Sequence, residues 1–227
     1  MSSLADRLAT TKQQISDECQ RLKRPEPTLI VVTKNHDVQL AKNLYDLGER
    51  NFGENRVQEG LPKSVELTEL LPESNPIWHL IGQLQTNKVK QALEFASVIH
   101  SLDRQSLLTE LVKRTADFEK PLEVFIQVNL TEDENRGGVS AVNLESFVEQ
   151  VLRCHTLNLR GLMAVASLEN EPARDFESVA NLSQKVRALH PGADQLSIGM
   201  SDDFLTALGF GATHLRIGTA ITGKRQY

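Results

Sequence analysis

The residue best placed to do chemistry is Lys34. It closes the tripeptide Val32-Thr33-Lys34 after an apolar run, Leu29 to Val32, whose length and β-branched content fit a buried strand. A lysine leaving an apolar barrel mouth loses hydration, which disfavours the ammonium form and frees an amine that can attack an aldehyde. The same position suits an ordinary surface lysine, so the chemistry depends on what gathers beside it. LSIGMSDDF, residues 196–204, places Ser201 where a helix N-cap is expected, with Asp202 and Asp203 in the first turn. Amides at a helix start plus a hydroxyl form an anion site, although any well-capped helix reads the same way.

THLRIGTAITG, residues 213–223, is more specific. Gly218 admits a ligand oxygen to the backbone, Thr219 adds a hydroxyl donor, and alternation sets Arg216 opposite Leu215 and Ile217. If Ile217 faces outer helices, Arg216 faces the interior, where it needs either a ligand acceptor or a buried ion pair with a neighbouring strand's carboxylate. In FGENRVQE, residues 52–59, Asn55 follows a short strand and suits a ligand hydroxyl or the cap of the next helix. WHLIGQLQTNK, residues 78–88, supplies His79, a residue type more often found in cores than in catalysis. His36, His100, His155, His190 and His214 make no metal spacing.

The elements that must position these residues alternate along the chain. Positions Leu4, Leu8, Ile15, Cys19 and Leu22 predict a helix over 3–22, ended by Pro25 and Pro27. Strand-like runs follow near 29–33, 50–53, 77–81, 97–101, 123–130, 158–165, 195–198 and 213–217. Helical patterns lie between them, including Val38 to Leu47, Arg104 to Thr115, Leu144 to Leu152 and Arg174 to Leu189. Eight βα repeats predict an α/β fold, a single (β/α)8 TIM-type barrel spanning residues 1–227, with functional groups at the C-terminal ends of the strands. Only ITGKRQY follows the last strand, so the extra N-terminal helix is expected to cover the place of a full eighth helix.

Composition narrows the function. The chain has 227 residues, 40% of them hydrophobic, and a net charge of -5 with no basic block, which disfavours nucleic acid and anionic membranes as partners. The N-terminus has no signal-like apolar core and no run approaches a membrane span, so a cytoplasmic protein is expected. Cys19 and Cys154 fit neither a disulfide framework nor a metal pattern and read as reduced thiols. A ligand carrying an aldehyde, a phosphate and a ring nitrogen would engage Lys34, the Ser201/Gly218/Thr219 end and Arg216 together. Pyridoxal 5'-phosphate has all three.

From about residue 28 onward the chain resembles the pyridoxal-phosphate homeostasis protein family, whose barrel is similar to the N-terminal domain of bacterial alanine racemase. VVTK, FGENRVQE, WHLIGQLQTNK, VFIQVNL, RGLMAV, LSIGMSDDF and LRIGTAITG occur in family order and spacing. The resemblance implies that Lys34 carries the cofactor as an internal aldimine. It further implies that Ser201, Gly218 and Thr219 hold the phosphate, with Arg216 beside the pyridine nitrogen and Asn55 near the ring and its 3-hydroxyl. Met200 and His79 would be pocket walls. Two departures stand out: Arg56 where the family often has tyrosine, and Arg136-Gly137-Gly138 where it often has Lys-Ser-Gly.

An arginine against the ring nitrogen discourages protonation and weakens the electron sink. With no opposed tyrosine base, and with the chain ending at the barrel, the resemblance implies a monomeric carrier rather than an enzyme. It would serve intracellular cofactor balance by holding the cofactor for storage or transfer, with cofactor-requiring apoenzymes among its partners. Two rivals use the same lysine: an amino-acid racemase, and a Schiff-base aldolase or phosphosugar barrel without cofactor.

Overall fold

In the computed structural model, which describes residues 2–131, 133, 136–167 and 170–223, eight parallel strands close into a barrel in sequence order. They are β1 (Thr28–Val32), β2 (Asn51–Glu54), β3 (Ile77–Leu80), β4 (Val98–Leu102), β5 (Leu122–Gln127), β6 (Leu157–Met163), β7 (Gln195–Ser197) and β8 (His214–Ile217). Closure is made by β1 against β8, with Ile30 opposite Arg216 and Val31 opposite Ile217. The number and order of strands are those expected. The runs 123–130 and 158–165 overreach, because β5 and β6 stop at Gln127 and Met163 and hand over to rim loops.

Side-chain parity sorts the strands into two environments. Val31, Phe52, Trp78, Leu80, Ile99, Val124, Ile126, Leu162, Leu196, Leu215 and Ile217 pack outward into one large apolar cluster with the helices. Inside the barrel, Val98, Phe125 and Met163 form a separate small cluster. The remaining inward positions are largely polar. Strands such as β3, IWHL, and β8, HLRI, therefore carry polar residues at inward positions, whereas β1, TLIVV, reads as a continuous apolar run.

The helices are α1 (Leu4–Arg21), α2 (Val38–Asp46), α3 (Val57–Leu70), α4 (Val89–Leu93), α5 (Gln105–Arg114), α6 (Leu144–Leu152), α7 (Pro172–Leu189), α8 (Phe204–Gly209) and α9 (Thr219–Thr222). Helix α1 starts at a capping box between Ser3 and Asp6 and buries Leu8, Thr11, Ile15 and Cys19 on one face. No sequence pattern announces α3, since Gly60 and Pro62 interrupt it. Gly60 is required by packing: a Cβ there would lie 2.5 Å from the Phe95 ring. Both cysteines are free thiols, Cys19 buried and Cys154 half-buried. Among the described residues no helix is long and apolar enough to cross a membrane.

The short α9 stands where a full eighth helix would, and α1 packs on α8 and α9. Arg7 fastens this junction: its Nε donates to the Ile221 carbonyl at 2.7 Å and its Nη2 to the Thr222 carbonyl at 3.2 Å. These are among the last carbonyls of α9, which have no intrahelical donor. Arg7→Ala is expected to lower stability by about 1–2 kcal/mol, read as a reduced urea midpoint with an unchanged slope.

Candidate functional site

The predicted rim residues lie on neighbouring strands. Lys34 follows β1, Asn55 follows β2, and Gly218 and Thr219 follow β8, while β8, β1 and β2 are adjacent in the sheet. Gly218 packs on Val32, two residues before Lys34; a Cβ at Gly218 would lie 3.5 Å from the Val32 Cβ. Ser201 reaches the same place from the β7–α8 loop. Its Oγ accepts from the Gly218 N–H at 3.2 Å and from the Ala220 N–H at 3.3 Å. Two amides thus converge on one oxygen, and the serine proton is left to donate onward. Ser201 is not the N-cap of α8, contrary to the sequence expectation. The cap is Asp203, and residues 201–203 form a turn in which Asp203 Oδ1 accepts the Met200 N–H at 2.6 Å. That contact turns the Asp203 carboxylate toward Met200's backbone.

Lys34 is exposed, so the dehydrated barrel-mouth lysine expected from its strand position is not what the fold builds. Its side chain has no hydrogen bond or ion pair to any described residue, while the backbone around it is firmly held. Thr33 N–H donates to the Gly53 carbonyl at 3.0 Å, and the His36 N–H returns to the Thr33 carbonyl at 3.2 Å. Asn35 takes the left-handed conformation, φ 61°, and donates its N–H to Glu59 Oε2 at 2.9 Å. Beneath the turn lies a buried pair: Lys63 Nζ donates to Glu54 Oε1 at 2.5 Å and to the Thr33 carbonyl at 2.8 Å. The Thr33 hydroxyl completes it, donating to the same Glu54 oxygen at 2.6 Å. Burial raises the Glu54 carboxyl despite the opposing pull of Lys63 and Thr33, and among the described residues its Oε2 has no partner.

Inside the barrel, His79 and Arg216 are buried. Arg216 Nη1 donates to the Ser197 carbonyl at 2.5 Å and to Ser197 Oγ at 2.6 Å, and Nη2 donates to the Ala164 carbonyl at 2.9 Å. Among the described residues no carboxylate pairs with it, so the buried ion pair weighed from sequence is not formed. Burial lowers its pKa to about 10, partly offset by Asp203. From Ser197 the contacts run on: His100 Nδ1 to Ser197 Oγ at 2.9 Å, His100 Nε2 to His79 Nδ1 at 2.9 Å, and His79 Nε2 to Asn51 Oδ1 at 3.0 Å. His100 stacks on Phe125, centroids 4.5 Å apart and planes 13° apart. Burial, then His214, depresses His79 to about 3; burial holds His100 well below its usual value; burial, then Arg160 and Arg216, lowers His214 to about 4.

The remaining candidates sit at the edge. Asn55 is half-buried and lines a cavity of about 260 Å³ with Arg56, Gln83, Gln85 and Lys88. It does not cap α3, whose N-cap is Arg56 without a side-chain bond. Gly82 presses on its backbone, where a Cβ would fall 2.2 Å from the Asn55 carbonyl oxygen. Met200 is exposed at the rim. Arg56 points to Glu59 at 3.7 Å, and Arg136 donates to the Ala166 carbonyl at 3.0 Å.

This arrangement has relatives. Residues 7–226 match the family model for the alanine racemase N-terminal domain. The pyridoxal phosphate homeostasis protein of Escherichia coli K12 is 36% identical over 232 residues, covering 100% of this chain and 99% of that one. The chain belongs to this family. The Aquifex aeolicus homeostasis protein is 37% identical over 228 residues, covering 98% of each. PipY of Synechococcus elongatus, solved with PLP bound, is 32% identical with a TM-score of 0.84, covering 97% of this chain and 100% of that one. Alanine racemase from Corynebacterium glutamicum, 13% identical with a TM-score of 0.66, shares the fold over 62% of its own length.

Set in a homeostasis-protein barrel, the sequence reading missed Thr33, Glu54 and Lys63 as supports of the Lys34 turn, and Asn51, His100 and Ser197 as partners of His79 and Arg216. Inward parity marks His79, His100, Ser197 and Arg216 on their separate strands. Only the closed barrel brings them into contact.

Two outcomes are expected. Lys63→Met leaves the Glu54 carboxylate buried without its cation and should cost about 3–5 kcal/mol, whereas Lys63→Met combined with Glu54→Leu should recover most of it; thermal unfolding of the three proteins measures both. The unfolded imidazoles of His79, His100 and His214 ionise near 6.5 and the folded ones far lower. The unfolded state therefore binds more protons in that window, so stability rises with pH from about 4 to 6.5 and is fully present above it. Urea titrations across that range should show about one proton taken up per histidine on unfolding.

Proposed function

We propose that this protein binds pyridoxal 5'-phosphate at the C-terminal rim of its barrel and holds it for storage or transfer, without turning over amino acids. The cofactor's reactive aldehyde is what a carrier must capture, and Lys34 supplies the amine. Ser201, Gly218 and Thr219 hold the phosphate, Arg216 lies at the pyridine end, Asn55 serves the ring side, and Met200 and His79 wall the site. The single observation that carries the reading is the placement, on adjacent strands, of a lysine unpaired among the described residues, on a turn held by backbone bonds, and two amides converging on the Ser201 oxygen. The donor set fits a phosphate: the Ser201 oxygen is held by the Gly218 and Ala220 amides, which leaves its proton to donate outward, and the Asp203 carboxylate is oriented to Met200's backbone. It fits a neutral ring nitrogen too, since Arg216 offers N–H groups and no acceptor. PipY, with PLP bound, and the homeostasis relatives support the assignment.

A carrier is preferred to an enzyme for electrostatic reasons. Arginine donates but does not give up its proton, so the ring stays a weak electron sink. Tyr45 is tied to Asn75 at 3.2 Å, and the position after Asn55 is Arg56 rather than tyrosine. Lys34 alone on its turn suits reversible capture, and cofactor-requiring apoenzymes are the recipients it would serve.

Mixing the protein with pyridoxal phosphate should produce a visible absorption band, and borohydride reduction followed by peptide mapping should fix the cofactor on Lys34. The holo-protein should restore activity to a cofactor-requiring apoenzyme. A colourless mixture with no adduct at Lys34 overturns the binding site; conversion of L-alanine to its D-isomer at enzymatic rates overturns the carrier role.

A further inference from the structure

The contacts from Arg216 to Asn51 form an unbroken chain of four hydrogen bonds, through Ser197, His100 and His79. Its proton order can be derived. Arg216 has no acceptor, so at its end Ser197 Oγ must receive an N–H. If the serine proton goes to His100 Nδ1, then His100 carries its hydrogen on Nε2 and donates to His79 Nδ1. His79 in turn carries its hydrogen on Nε2 and donates to Asn51 Oδ1. Every donor meets an acceptor. The reverse order makes Ser197 Oγ accept from both Arg216 and His100. Among the described residues its own proton would then have no acceptor, and a buried unsatisfied hydroxyl costs about 1–3 kcal/mol.

The chain therefore runs one way, from the cation to the asparagine, through two neutral imidazoles. A serine that donates its proton onward becomes the stronger acceptor, because successive hydrogen bonds polarise one another. Among the described residues the guanidinium is gripped by neutral oxygens alone, and the Asp203 carboxylate acts on it only through space. Nor can the chain ferry a proton to the ring: it would have to begin by taking one from arginine.

We propose that Ser197 and His100 are positioning residues for Arg216, their ordered hydrogen bonds fixing the guanidinium as a pure donor at the pyridine end of the site. This rests on the cofactor reading above for what Arg216 meets, but the ordering itself belongs to the cofactor-free protein. Asn51 closes the far end and lines a cleft at the opposite mouth of the barrel with Lys12, Glu49 and Arg50. The state of a residue four bonds away is thereby linked to Arg216.

The test uses the full chain in two arms. In cofactor-free protein, nitrogen NMR should find His79 and His100 both as neutral Nε2–H tautomers. The Arg216 Nη1 resonance should shift in Ser197→Ala, which loses the hydroxyl but keeps the backbone acceptors at 197 and Ala164, and stay in place in Ser197→Thr. Asn51→Leu, which removes the terminal acceptor, should mix the tautomers of both histidines. In the second arm, Ser197→Ala should bind pyridoxal phosphate about fivefold more weakly, the ratio of one neutral hydrogen bond, and its visible band should acquire a pH dependence absent from wild type and from Ser197→Thr. Nδ1–H tautomers in wild type, or an Arg216 Nη1 resonance unmoved in Ser197→Ala, overturn the proposal. Wild-type protein that refuses the cofactor defeats the functional reading instead, and the first arm still decides the chain.

Discussion

A guanidinium enclosed in a barrel with no carboxylate bonded to it among the described residues is the constraint around which this structure is organised. Burying a cation is costly unless its donors are met, and Arg216 meets Ser197 and Ala164 only if β6, β7 and β8 hold one register. That register needs an irregularity. Val124 pairs with Leu159 but Phe125 pairs with Gly161, so Arg160 is an extra residue that bulges out of step. Without the bulge every inward side chain beyond it on β6 would turn outward. Gly161 adopts φ 150°, and a Cβ there would fall 1.9 Å from the Gln195 carbonyl oxygen, so only glycine lets β6 and β7 approach as they do.

The same requirement accounts for the polar interior. Small barrels commonly fill their centres with branched aliphatic side chains in layers. Here His79, His100, Ser197 and Arg216 occupy inward positions beside a small apolar cluster of Val98, Phe125 and Met163. Once one member is polar, its neighbours must be too, since a half-satisfied network is worse than an apolar core. Phe125 contributes a flat apolar face on which His100 stacks, so the imidazole's edge is left to its two hydrogen bonds.

Legibility from sequence divided along this line. Strand count, strand order and the rim positions of Lys34, Asn55, Ser201, Gly218 and Thr219 follow from local pattern, because apolar runs and the residues that end them are near in sequence. α3 was hidden because Gly60 is dictated by the Phe95 ring, a tertiary contact that overrides helix propensity. Ser201 resembled an N-cap because Ser-Asp-Asp is a capping pattern, yet its hydroxyl is taken by amides of the turn after β8. Contacts such as His100 to Ser197, 97 positions apart, leave no trace in spacing. Parity can orient each residue inward but cannot choose its partner across the barrel.

The division of labour at Lys34 follows from competing demands on a reactive amine. A deeply buried lysine must surrender its hydrogen-bond donors to the protein, as Lys63 does. An exposed one stays accessible but floats, unless its backbone is fixed. The chain uses both: Lys63 and Glu54 are buried to clamp Thr33, and Lys34, one residue on, is exposed, its side chain unpaired among the described residues, on a turn further pinned by Asn35 and Glu59. The Glu54 oxygen without a partner shows what this arrangement gives up. Stability is lost at the support so that the amine above it can be at once held in place and left open, a combination suited to capturing a carbonyl and releasing it again.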